Sequence, residues 1–276
     1  MISNFVIFSF VIAAIATVLL PVALTIVLGV KGKITTLPFF LGAAAFFLSQ
    51  VVLRIPLLNL LSGVDWYVNF MTGFPIFGLF LVGGITAGLF EEGARLGGAH
   101  ILKGRRTYKD VISFGLGHGL CEVIFIVGLV HVNNILLSVA INEGGALLAM
   151  FAAGLGPEML EAITQQLRDL NPWLIYFGVF ERVCAVIAHI FFTVLVFKSV
   201  VERKIIYFIL AILAHALFNF VIVGLAHYAA LWAAGVTMVL MALGAGYYVL
   251  RSRENWAFPR RYPAEAEDTP DSGDRT

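Results

Sequence analysis

Seven apolar runs organise the chain, at roughly 3–29, 36–61, 71–98, 109–131, 174–198, 205–226 and 228–250. Each supplies the ~20 apolar residues that a helix needs to cross about 30 Å of hydrocarbon. A backbone in lipid must satisfy its own hydrogen bonds, so runs of this length cross as helices. The expected fold class is therefore all-α: a polytopic integral membrane protein with seven transmembrane helices, or eight if the stretch 133–153 also crosses. Hydrophobic residues make up 60% of the chain and charged residues 13%, a balance that excludes a soluble domain. The net charge of +1 carries no signal for nucleic acid.

Loop charge sets an orientation. Lys31 and Lys33, then Lys103, Arg105, Arg106 and Lys109, then Lys198, Arg203 and Lys204, then Arg251, Arg253, Arg260 and Arg261 follow alternate runs, so all four basic clusters share one side. The intervening loops are poor in Lys and Arg, which by the positive-inside rule places the N-terminus outside and the C-terminus in the cytoplasm, in a bacterial or archaeal cytoplasmic membrane. The stretch from Asn133 to Ala153 is broken by Asn142, Glu143, Gly144 and Gly145. Counting it as a crossing would put the later basic loops outside, so it reads as an external, interfacial or re-entrant element. The expected organisation is one transmembrane domain, 1–250, followed by a polar, charged tail, 251–276, too poor in apolar residues to bury a core and expected to be disordered and cytoplasmic.

Charge inside the apolar runs is the functional signal. Glu91 and Glu92 lie in the third run with Arg95 one turn on, His118 and Glu122 lie in the fourth, His189 in the fifth, and His215 with Asn219 in the sixth. On insertion scales a charge at the bilayer centre costs about 2.5–3.5 kcal/mol, so such residues face partners or water and mark function. Depth ties them together. Each glutamate or histidine of this set other than Glu122 sits nine to twelve residues from its basic boundary, or about 13–18 Å at helical rise. A single membrane histidine commonly only cross-links helices; four helices bringing polar groups to one level favour a shared site. His100, His131 and His227 do not share that depth. Cys121 and Cys184 lack metal-finger spacing and read as packing residues. Gly84 with Gly88, Gly93 with Gly97, and Gly115 with Gly119 are small-xxx-small pairs, expected to let the third and fourth helices approach.

The residues Glu91-Glu92-Gly93-Ala94-Arg95, Phe114-Gly115-Leu116-Gly117-His118 and His215-Ala216-Leu217-Phe218-Asn219 resemble the paired-glutamate, FxxxH and HxxxN motifs of the CAAX prenyl protease and bacteriocin-processing superfamily. The Gly117-His118-Gly119-Leu120-Cys121-Glu122 stretch and His189 are similar to the YhfC-type intramembrane metalloprotease branch. The arginine departs from the CAAX spacing EExxxR; here it is EExxR, nearer the EExxK of PrsW-type proteases, and His118 with Glu122 matches their FxxxE motif with histidine in place of phenylalanine. The resemblance covers roughly the third to sixth runs.

That resemblance implies an intramembrane endopeptidase acting on a membrane-embedded or membrane-associated peptide. Glu91 or Glu92 with His118 would activate water, His215 and Asn219 would stabilise the oxyanion, and Arg95, Glu122 and His189 would support them. Carboxylate, imidazole and carboxamide suit those roles. There is no HExxH, but His118, His189 and His215 offer three nitrogen ligands for zinc, with Glu91 as base. Spacing leaves metal dependence open. A proton- or ion-coupled transporter would also carry Glu, His and Asn at mid-membrane, usually with repeated halves, and a non-catalytic membrane assembly factor could retain such motifs.

Overall fold

A computed structural model describes residues 1–256. The chain is helical, with no strand among the described residues. In chain order it forms α1 (Asn4–Val30), α2 (Thr36–Leu61), the short α3 (Asp65–Gly73), α4 (Pro75–Ile101), α5 (Tyr108–Glu143), α6 (Gly145–Leu155), α7 (Pro157–Asp169), α8 (Pro172–Val201), α9 (Ile206–Tyr228) and α10 (Leu231–Ser252). Seven of these, α1, α2, α4, α5, α8, α9 and α10, are long and apolar enough to cross a membrane.

Helix starts follow local chemistry. The Ser3 side chain accepts a hydrogen bond from the Val6 N–H, Thr107 and Asp110 cap α5 reciprocally, and the Asn171 side chain accepts from Trp173 ahead of Pro172. Four spans contain a stretch of wider, π-helical turns: Ile15–Leu19, Phe47–Arg54, Leu79–Ile85 and Val123–Gly128. Such turns rotate the side chains that follow and recur at functional sites.

The four basic clusters meet at one end. Lys109 Nζ donates to Gly32 O (2.6 Å), Tyr108 Oη to Val249 O (2.5 Å), Lys198 Nζ to Tyr248 Oη (3.4 Å), and the Trp256 indole to Arg106 O (2.9 Å). At the opposite end Asn142 brackets the backbone of Ile2, and Ile2, Val6 and Phe10 pack with Leu137, Leu167 and Ile175.

Two sequence expectations need correction. The fourth span does not end near residue 131, because nothing between there and Glu143 breaks the helix; α5 runs 36 residues, about 54 Å. It stops at Gly144 and Gly145, whose φ angles of 73° and 76° suit glycine. Beyond them α6 and α7 meet at 115° across Gly156 and Pro157. Phe151, Leu160, Ile163 and Leu167 pack on the same cluster as Ile2 and Ile175, so this pair returns to the end where α5 finishes and α8 begins. At the other terminus, order extends past residue 251: α10 continues to Ser252, and Trp256 packs against Tyr108. The remainder of the expected tail, 257–276, lies outside the described residues.

Glycines set the helix spacing, though between other partners than the sequence suggested. A Cβ on Gly42 would lie 2.0 Å from Phe114 O, and one on Gly117 2.0 Å from Phe39 O, so α2 and α5 cross backbone to backbone. Gly84 and Gly88 press α4 against Ala216 and Ile212 of α9, and Gly115 and Gly119 press α5 against Ile190 and Val186 of α8. Gly93 and Gly97 have nothing within 4 Å of such a Cβ. Gly42→Ala and Gly117→Ala are each expected to destabilise the purified protein by about 1–3 kcal/mol through overpacking against backbone, while Gly93→Ala stays within about 0.5 kcal/mol. Unfolding midpoints in detergent check this, and equal midpoints for the three would contradict the close crossing.

Candidate active site

Glu91 is the hub of a polar cluster held by five helices. It projects from α4 toward α2, α5, α8 and α9, beyond the π-helical turns of Leu79–Ile85. Its Oε2 pairs with His118 Nε2 (2.9 Å) and lies 3.5 Å from an Arg95 guanidinium nitrogen and 3.7 Å from His189 Nδ1. Its Oε1 accepts from the Gln50 carboxamide (2.8 Å) and lies 3.8 Å from His215 Nε2. Glu91, Glu92, Arg95, His118, His189 and His215 are all buried. The structure thus gathers the five acidic and histidine residues that the sequence placed at one depth.

The second glutamate sits behind the first. Glu92 Oε1 accepts from Arg95 and from His215 Nδ1 (2.7 Å), and its side chain is fully buried. A carboxylate can only accept, so His215 carries a proton on Nδ1, and its Nε2 faces the Glu91 carboxylate 3.8 Å away. The His215 ring stacks on Phe192 at 4.7 Å, which holds it there. On the other flank Glu122 pairs with His189 Nε2, so His189 presents Nδ1 to the centre, where it accepts from Arg95 (2.7 Å). Glu122 Oε1 accepts from Arg182 (2.8 Å), and Arg182 also pairs with Glu181. Two histidines therefore each have a carboxylate fixing the ring nitrogen that faces away from Glu91.

A cavity of about 200 Å³ adjoins the cluster, reaching Glu91, His189 and His215 and continuing along Glu122, Arg182 and Asn219. Glu92 and His118 do not line it. Asn219 makes one long hydrogen bond, from Nδ2 to Gly83 O at 3.4 Å, which leaves its carboxamide available to the cavity. His100, His131 and His227 make no contact with the centre; His131 instead packs against Phe10, 5.8 Å between rings.

Gln50 and Arg54 are the site residues that sequence reasoning passed over. Arg54 donates to Gln50 Oε1 (3.0 Å), to Thr86 Oγ1 (3.0 Å) and to Val82 O (2.7 Å), and Gln50 relays that anchoring to Glu91. The available signal was an i,i+4 polar pair inside an otherwise apolar span. The π-helical stretch Phe47–Arg54 carries both residues.

The donor set fits a divalent transition metal. Glu91, His118 and His189 each offer a ligand atom, all within 4.8 Å of one another; around a tetrahedral zinc, atoms about 2.0–2.2 Å from the ion lie roughly 3.5 Å apart. His189 has the carboxylate orienter that metal-binding imidazoles use, and His118 Nδ1 is buried without a partner. The charge balance agrees, since four carboxylates (Glu91, Glu92, Glu122, Glu181) face three guanidinium groups (Arg54, Arg95, Arg182). The Arg95 contact to His189 Nδ1 would have to yield to an ion. Of the three histidines read from sequence as possible ligands, His118 and His189 fall in this triad with Glu91, while His215, paired with Glu92 and stacked on Phe192, lies beside it with Nε2 3.8 Å from Glu91 Oε1.

Fold and site together define a polytopic helical membrane protein with a buried carboxylate–imidazole centre of metal-binding composition. The chain belongs to the YhfC intramembrane metalloprotease family, whose model matches residues 16–247. It is 31% identical over 248 residues to the uncharacterized membrane protein YhfC of Bacillus subtilis (strain 168), covering 85% of this chain and 92% of that protein. No solved structure matches it.

Gln50→Leu keeps the side-chain volume but leaves a Glu91 oxygen and an Arg54 N–H without their partner. It is expected to lower stability by about 1–3 kcal/mol, read as an earlier melting transition in detergent; a parental midpoint would show that the Arg54–Gln50–Glu91 chain does not hold the centre.

Proposed function

We propose that the protein is an intramembrane endopeptidase that hydrolyses peptide bonds at the Glu91 centre, on a membrane-embedded or membrane-associated peptide. The observation that carries this reading is that Glu91 alone among the paired glutamates lines the cavity, while three imidazoles converge on its carboxylate. It agrees with the resemblance to the CAAX-protease and PrsW-like motifs.

Glu91, His118 and His189 would hold the ion, with zinc the metal such ligands suit, and the ion would supply Lewis acidity toward the carbonyl and a more acidic water. The chain's own residues do the rest. A water in the cavity attacks the carbonyl carbon and gives its proton to the Glu91 oxygen that Gln50 holds, Oε1, which leaves Oε2 as the oxygen offered to an ion. Asn219 donates its carboxamide N–H toward the carbonyl oxygen as negative charge grows. The C–N bond then breaks and the amine leaves with a proton returned from the centre. His215, with Nδ1 held by Glu92 and Nε2 facing Glu91 beside the cavity, suits donating from Nε2 to the oxyanion, the role read from sequence, and passing that proton on to the amine. Glu92, itself paired with Arg95, positions His215, and Glu122 holds His189 by its far nitrogen. The basic end of the bundle would face the cytoplasm, as the positive-inside rule directs.

Incubation of purified protein with a library of membrane peptides, read by mass spectrometry, provides the substrate and the assay. Glu91→Gln is expected to reduce cleavage at least about 100-fold and Asn219→Ala about 100- to 1000-fold, the usual loss for a single oxyanion donor. Chelation should abolish cleavage and zinc restore it. Folded Glu91→Gln protein cleaving at the parental rate would refute the assignment.

A further inference from the structure

The helices pack tightly against the centre on one side and leave a cavity beside it on the other. Glu91, His118, His189 and His215 have as their neighbours one helical turn nearer the basic end Arg95, Phe114, Thr193 and Ala211, and all four of these are 0% exposed. Beyond them Val111, Val194, Phe197 and Ala99 continue the fill, also without exposure. One turn in the other direction, Glu122, Ala185 and Asn219 all line the cavity, which runs on to Glu181, Arg182 and Ile222. These residues stand four to eight positions past the centre on their helices, about 6–12 Å farther from the basic end.

We infer that peptide and water reach the Glu91 centre from the end of the bundle opposite the basic loops, through the cavity between α8 and α9, with Glu181 and Arg182 as the polar groups they pass. The lining suits an extended peptide: Phe192, Phe218 and Ile222 form an apolar wall for a side chain, and Asn219 and Arg182 offer donors to main-chain carbonyls on the other. Water takes the same route, since a cavity of about 200 Å³ has room for several molecules at ~30 Å³ each. On the basic side the positions one turn from the centre are filled by the fully buried side chains of Arg95 and Phe114.

The assignment of peptide to this route rests on the hydrolytic reading, and the route itself is tested without it. In a background with Cys121 and Cys184 replaced by alanine, Ala185→Cys, Asn219→Cys and Ala211→Cys are compared for modification by a membrane-impermeant thiosulfonate in intact cells and in inverted vesicles. Thr107→Cys, in the loop between α4 and α5, reports which preparation exposes the basic end. Thiol reactivity follows access to water, so Ala185→Cys and Asn219→Cys should react at least about tenfold faster than Ala211→Cys, and only in the preparation where Thr107→Cys is protected. Reaction in the preparation that labels Thr107→Cys, or rates no higher than at Ala211→Cys, would overturn the route. Two independent cavity positions keep the test decisive if one variant does not fold. A second arm measures cleavage of a peptide that the parent cuts: the adduct at Ala185→Cys should lower the rate at least about tenfold, and an unchanged rate would overturn the cavity as the peptide's path. A parent that cuts nothing removes the hydrolytic reading and leaves the labelling result to stand or fall alone.

Discussion

A carboxylate buried among helices that cross a membrane must be compensated where it sits, and the site is arranged around that requirement. Removing an ionised carboxylate from water costs several kcal/mol even after relaxation, and a lone one would neutralise or drive the helices apart. Glu91 avoids this by taking a partner from each neighbouring helix: Gln50 from α2, His118 from α5, His189 from α8 and His215 from α9, with Arg95 on its own helix. Three of these partners are anchored in turn: Gln50 by Arg54, His189 by Glu122 with Arg182, and His215 by Glu92. The cluster cross-links five helices, and breaking one buried pair would leave the other charge uncompensated.

Close packing makes those contacts reachable. The side chains of Glu, Gln and His meet across helices only where backbones approach, and glycines provide that approach at the same level. Gly88 lies one turn from Glu91, Gly115 and Gly119 flank His118, and Gly117 lets α2 in from the other side. The same packing fills the space toward the basic end and leaves the cavity on the other side of the centre. Polar partnership, helix spacing and access are thus consequences of one arrangement of small and charged residues.

Much of this was legible in the sequence for a physical reason: apolar run length fixes a span, and a charge within a span is too costly to be accidental. The seven spans and the gathering of Glu91, His118, His189 and His215 follow from those two rules. What was not legible depended on side-chain direction. Depth placed His215 with the other histidines, while side-chain direction pairs its ring with Glu92 and Phe192 and puts Glu91 with His118 and His189 in the proposed ligand triad. Gln50 and Arg54 lay in a span with no motif, and their π-helical setting has no simple sequence signature. The extension of α5 to Glu143 was hidden because the length of an apolar run marks what can cross a membrane, not where the helix stops; Gly144 and Gly145, at positive φ, end it.

X-ray absorption spectroscopy of the purified protein loaded with zinc tests whether Glu91, His118 and His189 form the proposed metal centre. A single ion per chain bound by nitrogen and oxygen at about 2.0–2.2 Å, with imidazole scattering that diminishes in His189→Ala and no sulfur ligand, is the expected result. Failure to retain a stoichiometric ion, or sulfur scattering that assigns the metal to Cys121 or Cys184, would contradict it.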